Sequence, residues 1–222
     1  MNWTEAVDGY CERVGPDYWA EPVNAITNLA FIVAAFIMWR RSEGVPMARV
    51  LCVILGAIGV GSYLFHTHAQ VWAGVADVTP ILLFILVYIF VATRDGVGVT
   101  GWWALGATVL FFPYAGMMVP AFGLIPGLGA SAGYAPVALL IFLYAGFLRN
   151  KQPAFARGLA IGASMLVLSL VFRTLDEPVC ARLPLGTHFL WHVLNGAMLG
   201  WMIEIYCRLI LSNSRPPTSE TA

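Results

Sequence analysis

The chain has 222 residues, of which 59% are hydrophobic and 11% are charged, whereas soluble domains carry about 25% charged residues. Its 12 basic and 12 acidic residues give no net charge, so the basic surface that nucleic acids require is not expected, and we predict no nucleic-acid partner. The composition predicts a multi-pass integral membrane protein.

Seven apolar segments follow one another along the chain, each near the roughly 20 residues with which a helix crosses a bilayer. They cover residues 22–39, 50–68, 72–93, 101–122, 131–148, 156–175 and 186–211. We therefore predict an all-α fold, a bundle of seven transmembrane helices, formed by one domain over residues 1–211. The polar residues 212–222 are predicted to form a disordered cytoplasmic tail. The sequence leaves the oligomeric state open.

Basic residues are unevenly divided between the two ends of these segments. If the N-terminus is outside, three basic residues lie outside, namely Arg13, Arg173 and Arg182. Nine then lie inside: Arg40, Arg41, Arg49, Arg94, Arg149, Lys151, Arg157, Arg208 and Arg215. Since cytoplasmic loops are the ones enriched in lysine and arginine, we predict an outer N-terminus and a cytoplasmic C-terminus.

Four ionisable side chains lie at one depth in three of the segments. His66 and Asp77 are each 17 residues from an inner arginine, Arg49 and Arg94 respectively, which is roughly 26 Å along a helix. His188 and His192 are 20 and 16 residues from Arg208, or roughly 30 and 24 Å. All four are therefore expected in the outer part of the membrane, and ionisable residues at such depth usually serve function.

These residue types suit metal-assisted hydrolysis. Three imidazoles, His188 and His192 being four residues apart on one helix face, match a tetrahedral zinc site with one open position. Asp77 at the same depth can accept a proton from the attacking water. Ser62, one turn deeper on the face of His66, can donate a hydrogen bond to an oxyanion.

Simpler interpretations exist for each residue taken singly. A lone histidine in a membrane more often bonds a neighbouring helix, and a lone serine usually bonds its own helix. His68 competes with His66 as a ligand, although we expect it to be an interface residue. Ordinary ion pairs are expected for Asp176 with Arg173 and for Glu204 with Arg208.

Two alternative functions remain open. A bis-histidine haem protein that carries electrons would explain the paired histidines but not Asp77 and Ser62. A receptor or channel could retain the metal site for structure alone.

Three stretches together resemble the alkaline ceramidase family: "AEPVNAITNLAF" (20–31), "GSYLFHTHAQVWAGVAD" (61–77) and "HFLWHVLNG" (188–196). That family belongs to a superfamily of seven-helix membrane hydrolases that also includes the adiponectin receptors. The resemblance implies hydrolysis of the N-acyl bond of ceramide-like membrane lipids to a sphingoid base and a fatty acid. It implies zinc ligands at His66, His188 and His192, a base at Asp77 and an oxyanion donor at Ser62.

The resemblance also raises the question of a second ion, Ca²⁺. Glu21, Asn24 and Asn28 match the family's first-helix pattern, E-x-x-N-x-x-x-N, and in the eukaryotic enzymes this glutamate and the N-terminal segment form a calcium site. "GYCER" corresponds to the family's "DWCEE", with Glu12 matching but Gly9 and Tyr10 differing. Val78 stands where the eukaryotic enzymes have glutamate. These residues are expected to bind calcium or to support the zinc ligands.

The four cysteines divide by their predicted side of the membrane. Cys52 and Cys207 fall near inner helix ends, whereas Cys11 and Cys180 fall in outer segments, where disulfides persist. We predict a Cys11–Cys180 disulfide close to the metal site, two free outward-facing thiols being the alternative. The resemblance agrees, because the cysteine of "DWCEE" pairs in that family with one before the last helix.

Overall fold

The computed structural model describes residues 2–7 and 9–214 of the chain, and these residues form a helical bundle. Its helices are α1 (Pro22–Thr27), α2 (Leu29–Arg41), α3 (Pro46–His68), α4 (Val71–Val91), α5 (Gly101–Val109), α6 (Phe111–Gly123), α7 (Ala135–Leu148), α8 (Pro153–Val179) and α9 (His188–Asn213). A π-helical turn, Ala92–Gly98, extends α4, and a 3₁₀ turn, Gly129–Gly133, precedes α7.

The described residues contain seven helical spans that are long and apolar enough to cross a membrane. They run Pro22–Arg41, Pro46–His68, Val71–Gly98, Gly101–Gly123, Gly129–Leu148, Pro153–Val179 and His188–Asn213, so the predicted all-α bundle of seven spans is confirmed. Which side each end faces stays a prediction. The last helix continues to Asn213, into the predicted tail, and residues 215–222 of that tail lie outside the described residues.

Helices α3, α8 and α9 form the centre of the bundle. Helix α3 packs against α2 and α4, while α9 packs against α2 and α8. Half or more of the residues in these three central spans are buried, against only 6% in the span formed by α5 and α6. The fourth span therefore lies at the periphery, and the polar residues of interest sit in the most enclosed helices.

The N-terminal segment, residues 2–7 and 9–21, lies across the end of the bundle where α3 turns into α4. The amide of Val7 donates to the Ala69 carbonyl (2.8 Å), and the amide of Val71 donates to the Glu5 carbonyl (3.1 Å). Ala69 adopts the left-handed conformation (φ 44°) that ends α3 and allows this tight corner. The segment is thus fixed to the bundle end that carries His66 and His188.

A disulfide joins Cys11 of this segment to Cys180 after α8, with their Cα atoms 5.3 Å apart. The predicted pairing is confirmed, and Cys52 and Cys207 are free and buried. At the opposite end, Glu204 accepts a hydrogen bond from Arg208 (2.8 Å), as predicted, and another from Arg41 (3.0 Å).

Candidate metal centre

Three histidines from two helices meet at the end of the bundle that the N-terminal segment covers. His66 lies in the last turn of α3, and His188 and His192 lie in the first turns of α9. One ring nitrogen from each lies within 4.8 Å of the others. All three side chains are buried, with 1% of their surface exposed. The structure thus brings together the three residues that the sequence nominated as metal ligands.

The hydrogen bonds of these rings leave nitrogens free for a metal. The Nδ1 of His66 contacts the Glu21 carboxylate (2.6 Å), and the Nδ1 of His192 contacts the Thr27 hydroxyl (2.9 Å). Such contacts orient metal-ligating imidazoles and direct the opposite nitrogen to the ion. The Nε2 of His192 and the Nδ1 of His188 are buried without a hydrogen-bond partner. Buried polar atoms are rarely unpartnered, so this donor set fits a metal ion.

Asp77 and Ser62 lie beside the histidines because α3 and α4 approach closely. A Cβ added at Gly61 would collide with the backbone carbonyl of Ala76 and lie 3.2 Å from the Cα of Asp77. Ser62 is buried, and the Asp77 carboxylate interacts electrostatically with His66 and lies near the Ser62 hydroxyl. One carboxylate oxygen, Oδ1 of Asp77, is buried and accepts no hydrogen bond.

The sequence matches the model of the family named Ceramidase across residues 4–221. The chain belongs to the ceramidase family. None of the curated proteins matches it. The match covers nearly the whole chain, so it includes the helices that carry all three histidines, Asp77 and Ser62.

His68 lies apart from the metal centre of this ceramidase-family protein. Its side chain is exposed and sits against the rings of Tyr18 and Trp72, whose centroids are 5.4 and 5.1 Å away. Its interfacial position in the membrane stays a prediction. Of the two histidines in "FHTH", the helical turn directs only His66 inwards.

The residues proposed for calcium are engaged in other contacts. Both carboxylate oxygens of Glu12 accept backbone amides at the start of α1, from Val23 (2.7 Å) and Asn24 (2.8 Å). The Glu21 carboxylate lies between His66 and the guanidinium of Arg13, whose Nε is 2.5 Å away. Burial acts to raise the pKa of Glu21, but its hydrogen bonds to His66, Arg13 and Asn24 outweigh burial and lower it.

Arg13 is itself buried and fully bonded at this point. Its other nitrogens donate to the backbone carbonyls of Gly15 and His66, both at 3.0 Å. The unpartnered amide oxygens of Asn24 and Asn28 remain, but Ca²⁺ usually takes six to eight oxygens, carboxylates among them. Among the residues that the structure describes, the donor set around Glu21 therefore does not fit calcium, and a guanidinium supplies the positive charge beside this carboxylate.

The predicted ion pair between Asp176 and Arg173 is wrong. Asp176 accepts three backbone amides instead, from Cys11 (3.0 Å), Thr187 (2.7 Å) and His188 (2.8 Å). The last two open α9, and the free amides at a helix start are strong partners for a carboxylate. Asp176 thus fixes the start of the helix that carries His188 and His192.

Gly186 permits this arrangement. Its φ is +66°, and a Cβ there would collide with the Asp176 carboxylate and the Cys11 side chain. The glycine just before "THFLWH" was the available signal of a special turn at this helix start.

Sequence reasoning also missed Tyr10, which contacts His188, and Arg173, which contacts Tyr10. The ring of Tyr10 stacks on the imidazole of His188, with centroids 3.7 Å apart, and the Tyr10 hydroxyl accepts a hydrogen bond from Arg173 (3.1 Å). The sequence singled out Tyr10 only as a departure from "DWCEE". Tyr10 lies far from both α8 and α9 in the chain, so only the tertiary structure reveals its contacts with Arg173 and His188.

An apolar cavity lies inside the bundle, beside residues of α9 that neighbour His192 in the chain. Its lining includes Trp191 and Asn195, which flank His192 on α9, and continues to Met202 two turns deeper. Tyr134 and Phe84 close other sides of it. A chain of methylene groups is the ligand that such a lining favours.

Proposed function

We propose that this protein is an intramembrane zinc amidase that hydrolyses the N-acyl bond of a ceramide-like lipid to a sphingoid base and a fatty acid. The observation that carries the proposal is the buried cluster of His66, His188 and His192 with unpartnered nitrogens, in a chain of the ceramidase family. Amide hydrolysis needs an activated water and stabilisation of the charge that develops on the carbonyl oxygen, and residues for both surround the cluster.

His66, His188 and His192 would hold the zinc ion through their unengaged nitrogens. Zinc, when bound, polarises the amide carbonyl and lowers the pKa of water. Glu21 and Thr27 keep the rings of His66 and His192 in place through their Nδ1 atoms. Three neutral imidazoles leave one tetrahedral position open, as catalytic zinc sites require.

Asp77 and Ser62 have separate roles in the proposed chemistry. The unpartnered Oδ1 of Asp77 accepts a proton from the attacking water and afterwards delivers it to the leaving amine. The Ser62 hydroxyl donates a hydrogen bond to the amide oxygen as negative charge develops there. Burial of the Ser62 side chain and of the Asp77 Oδ1 atom strengthens these interactions, because little water competes.

The substrate would be a membrane lipid, because the site lies within helical spans and Trp191, next to His192 on α9, lines the apolar cavity. The acyl chain would lie in that cavity along α9, with the amide beside His192. By the orientation count, the site faces the non-cytoplasmic side of the membrane.

Metal analysis combined with hydrolysis of a fluorescent ceramide tests the proposal. The purified protein should contain one zinc ion per chain and release the fatty acid. Asp77→Asn should keep the zinc but lose turnover, because an amide cannot take the proton. Asp95→Asn makes the same change at the far end of the same span, where Asp95 pairs with Arg94, and should keep turnover. Full activity in Asp77→Asn would refute the mechanism.

The same preparation distinguishes the alternatives. A Soret absorbance band would identify the haem electron carrier instead of the hydrolase. Stoichiometric zinc without turnover of any N-acyl lipid would support a receptor-like protein with a structural metal site.

A further inference from the structure

Arg173 is a cation inside the bundle that has no ion-pair partner in the described part of the chain. It lies in α8, in the half of the helix nearest the metal centre. One nitrogen donates to the Tyr10 hydroxyl (3.1 Å), whereas its Nε–H is buried and has no acceptor. A charge in a membrane span without a counter-ion is costly and by default serves a function.

The carboxylates near Arg173 do not neutralise it directly. Both oxygens of Asp176 are occupied by backbone amides. Asp77 is close enough to interact electrostatically with Arg173 but forms no ion pair with it. The guanidinium and the carboxylate of Asp77 therefore each retain an unused hydrogen-bonding atom in the same enclosed region.

Three aromatic rings hold the guanidinium in place. Its Cζ lies 5.7 Å from the ring centre of Tyr10, 5.3 Å from Tyr134 and 5.2 Å from Trp191. Contacts with ring faces stabilise the charge but leave the N–H groups in the guanidinium plane free for an acceptor. Arg173 is thus fixed in position, as a recognition residue must be.

The position of Arg173 relates it to the site. Tyr10, to which it donates, stacks on His188, while Tyr134 and Trp191 line the apolar cavity. The guanidinium therefore contacts both residues of the cavity lining and a residue stacked on an imidazole. A lipid with its acyl chain in the cavity would place its polar end beside Arg173.

We propose that Arg173 is the anion-binding residue of this site and that it binds the carboxylate of a lipid. A planar guanidinium is the protein group best matched to a carboxylate, and its unused Nε–H supplies a charge-assisted hydrogen bond. The Tyr10 hydroxyl, which accepts a hydrogen bond from Arg173, can add a second donor.

The carboxylate has two possible sources. It is either that of the released fatty acid or the acidic head group of an N-acyl amino acid acting as substrate. The source of the carboxylate rests on the proposed hydrolysis. Binding of a carboxylate at Arg173 does not, because binding requires no turnover.

Calorimetric titration of the purified protein with oleate, and with methyl oleate as the uncharged analogue, tests the proposal. The wild type should bind oleate more tightly than methyl oleate. Arg173→Gln should bind oleate about tenfold more weakly or worse, the loss expected for one charge-assisted hydrogen bond, while binding methyl oleate unchanged. Arg173→Lys, which keeps the charge, should retain most of the preference.

Arg182→Gln is the matched control, because Arg182 is an exposed arginine in the loop before α9 and should not affect oleate binding. Metal content and the thermal unfolding midpoint, measured on each variant, separate a lost contact from a lost fold. Equal oleate affinity in the wild type and Arg173→Gln, at equal metal content, would overturn the proposal. If Arg173→Gln does not fold, a wild type that binds oleate and methyl oleate equally overturns it.

Kinetics with two substrates separate the sources of the carboxylate. If the head group is bound, Arg173→Gln raises KM for N-oleoylglycine and leaves KM for ceramide unchanged. If the product is bound, the same change weakens inhibition by oleate equally with either substrate. If Arg173→Gln produces neither of these two changes, the proposal is contradicted. Selective oleate binding without hydrolysis of either lipid would refute the proposed function and still support the anion site.

Discussion

Each histidine of the candidate metal centre is held by a different kind of contact. A carboxylate bonds His66, a hydroxyl bonds His192, and an aromatic ring stacks on His188. The three partners, Glu21, Thr27 and Tyr10, come from the N-terminal segment and the first helix. The imidazoles therefore depend on residues that are not themselves ligands.

Replacing any one ligand should remove the metal. His66→Ala, His188→Ala and His192→Ala each leave two imidazoles, too few to hold zinc against water, so elemental analysis should find the ion lost along with activity. His68→Ala is the control, since that side chain is exposed, and should keep both. Loss of zinc from His68→Ala with full retention in His66→Ala would reject the ligand assignment.

Ser62→Ala should reduce the rate without changing metal content. Loss of one oxyanion donor typically lowers kcat by about 10²–10³-fold. Steady-state kinetics with a fluorescent ceramide measures the effect, and Ser164→Ala serves as control because that exposed hydroxyl only bonds its own helix at Ala160. A wild-type kcat in Ser62→Ala would show that Ser62 contributes to packing and not to catalysis.

Glu21→Gln should weaken metal binding rather than abolish it. The substitution keeps the shape of the side chain but removes the negative charge beside His66 and Arg13, and losses of about 10–100-fold are typical for such supporting partners. Competition with a zinc chelator measures the affinity. Unchanged affinity would show that His66 needs no carboxylate to hold its orientation.

At the scale of elements, the crossing of α3 and α4 sets the distance between Asp77 and the other site residues. Gly61 has no side chain, so the backbone of Ala76 can approach it directly. The helices then carry Ser62 and His66 on one side of the contact and Asp77 on the other. A glycine in the middle of a helix usually lowers the stability of that helix. The close approach of α4 explains why a glycine is present at position 61.

Gly61→Ala should separate these two helices. The added methyl group would collide with the backbone carbonyl of Ala76, and overpacking of this kind costs about 1–3 kcal/mol. We expect a lower thermal unfolding midpoint and a lower kcat.

Gly56→Ala is the matched control for this substitution. It lies on the same helix, and its new methyl group would meet Ala35 at an ordinary 4.0 Å, so stability and kcat should be unchanged. A Gly61→Ala protein as stable and as active as Gly56→Ala would contradict the close packing.

At the scale of the whole molecule, the N-terminal segment connects the site to the junction of α8 and α9, near the other end of the chain. The Cys11–Cys180 disulfide spans 169 residues, and Asp176 bonds Cys11 as well as the start of α9. Tyr10, Glu12 and Arg13, which contact the site and the first helix, flank the bonded cysteine. Displacing this one segment would therefore disturb contacts to several site residues at once.

Reduction of the disulfide should lower both the thermal unfolding midpoint and the retention of zinc. The bond holds Tyr10 against His188 and Arg13 against Glu21, so its loss frees both contacts. Chelator competition and thermal unfolding, with and without reductant, measure the two effects. The Cys11→Ser/Cys180→Ser double variant should already show them and not respond to reductant. Reductant without effect on the wild type would show that the segment stays docked unaided.

Much of the fold was predictable because a membrane helix can be recognised from the hydropathy of its own residues. An apolar segment long enough to span the membrane forms a helix in lipid, because only a helix pairs the backbone N–H and C=O groups within a single segment. The shared depth of His66, His188 and His192 followed from simple counting along such helices. Asp176 was misassigned because its partners are backbone amides, which carry no sequence signal.

The sequence by itself determined the seven spans, the candidate ligand set and the cysteine pair, because each depends on residue type and distance along a helix. The tertiary structure alone decided which nitrogens remain free, that Arg13 occupies the charge position beside Glu21, and that Arg173 meets three aromatic rings. The contact between Tyr10 and Arg173, for example, joins residues 163 positions apart. Their partners are selected by how helices pack, and packing depends on the whole chain at once.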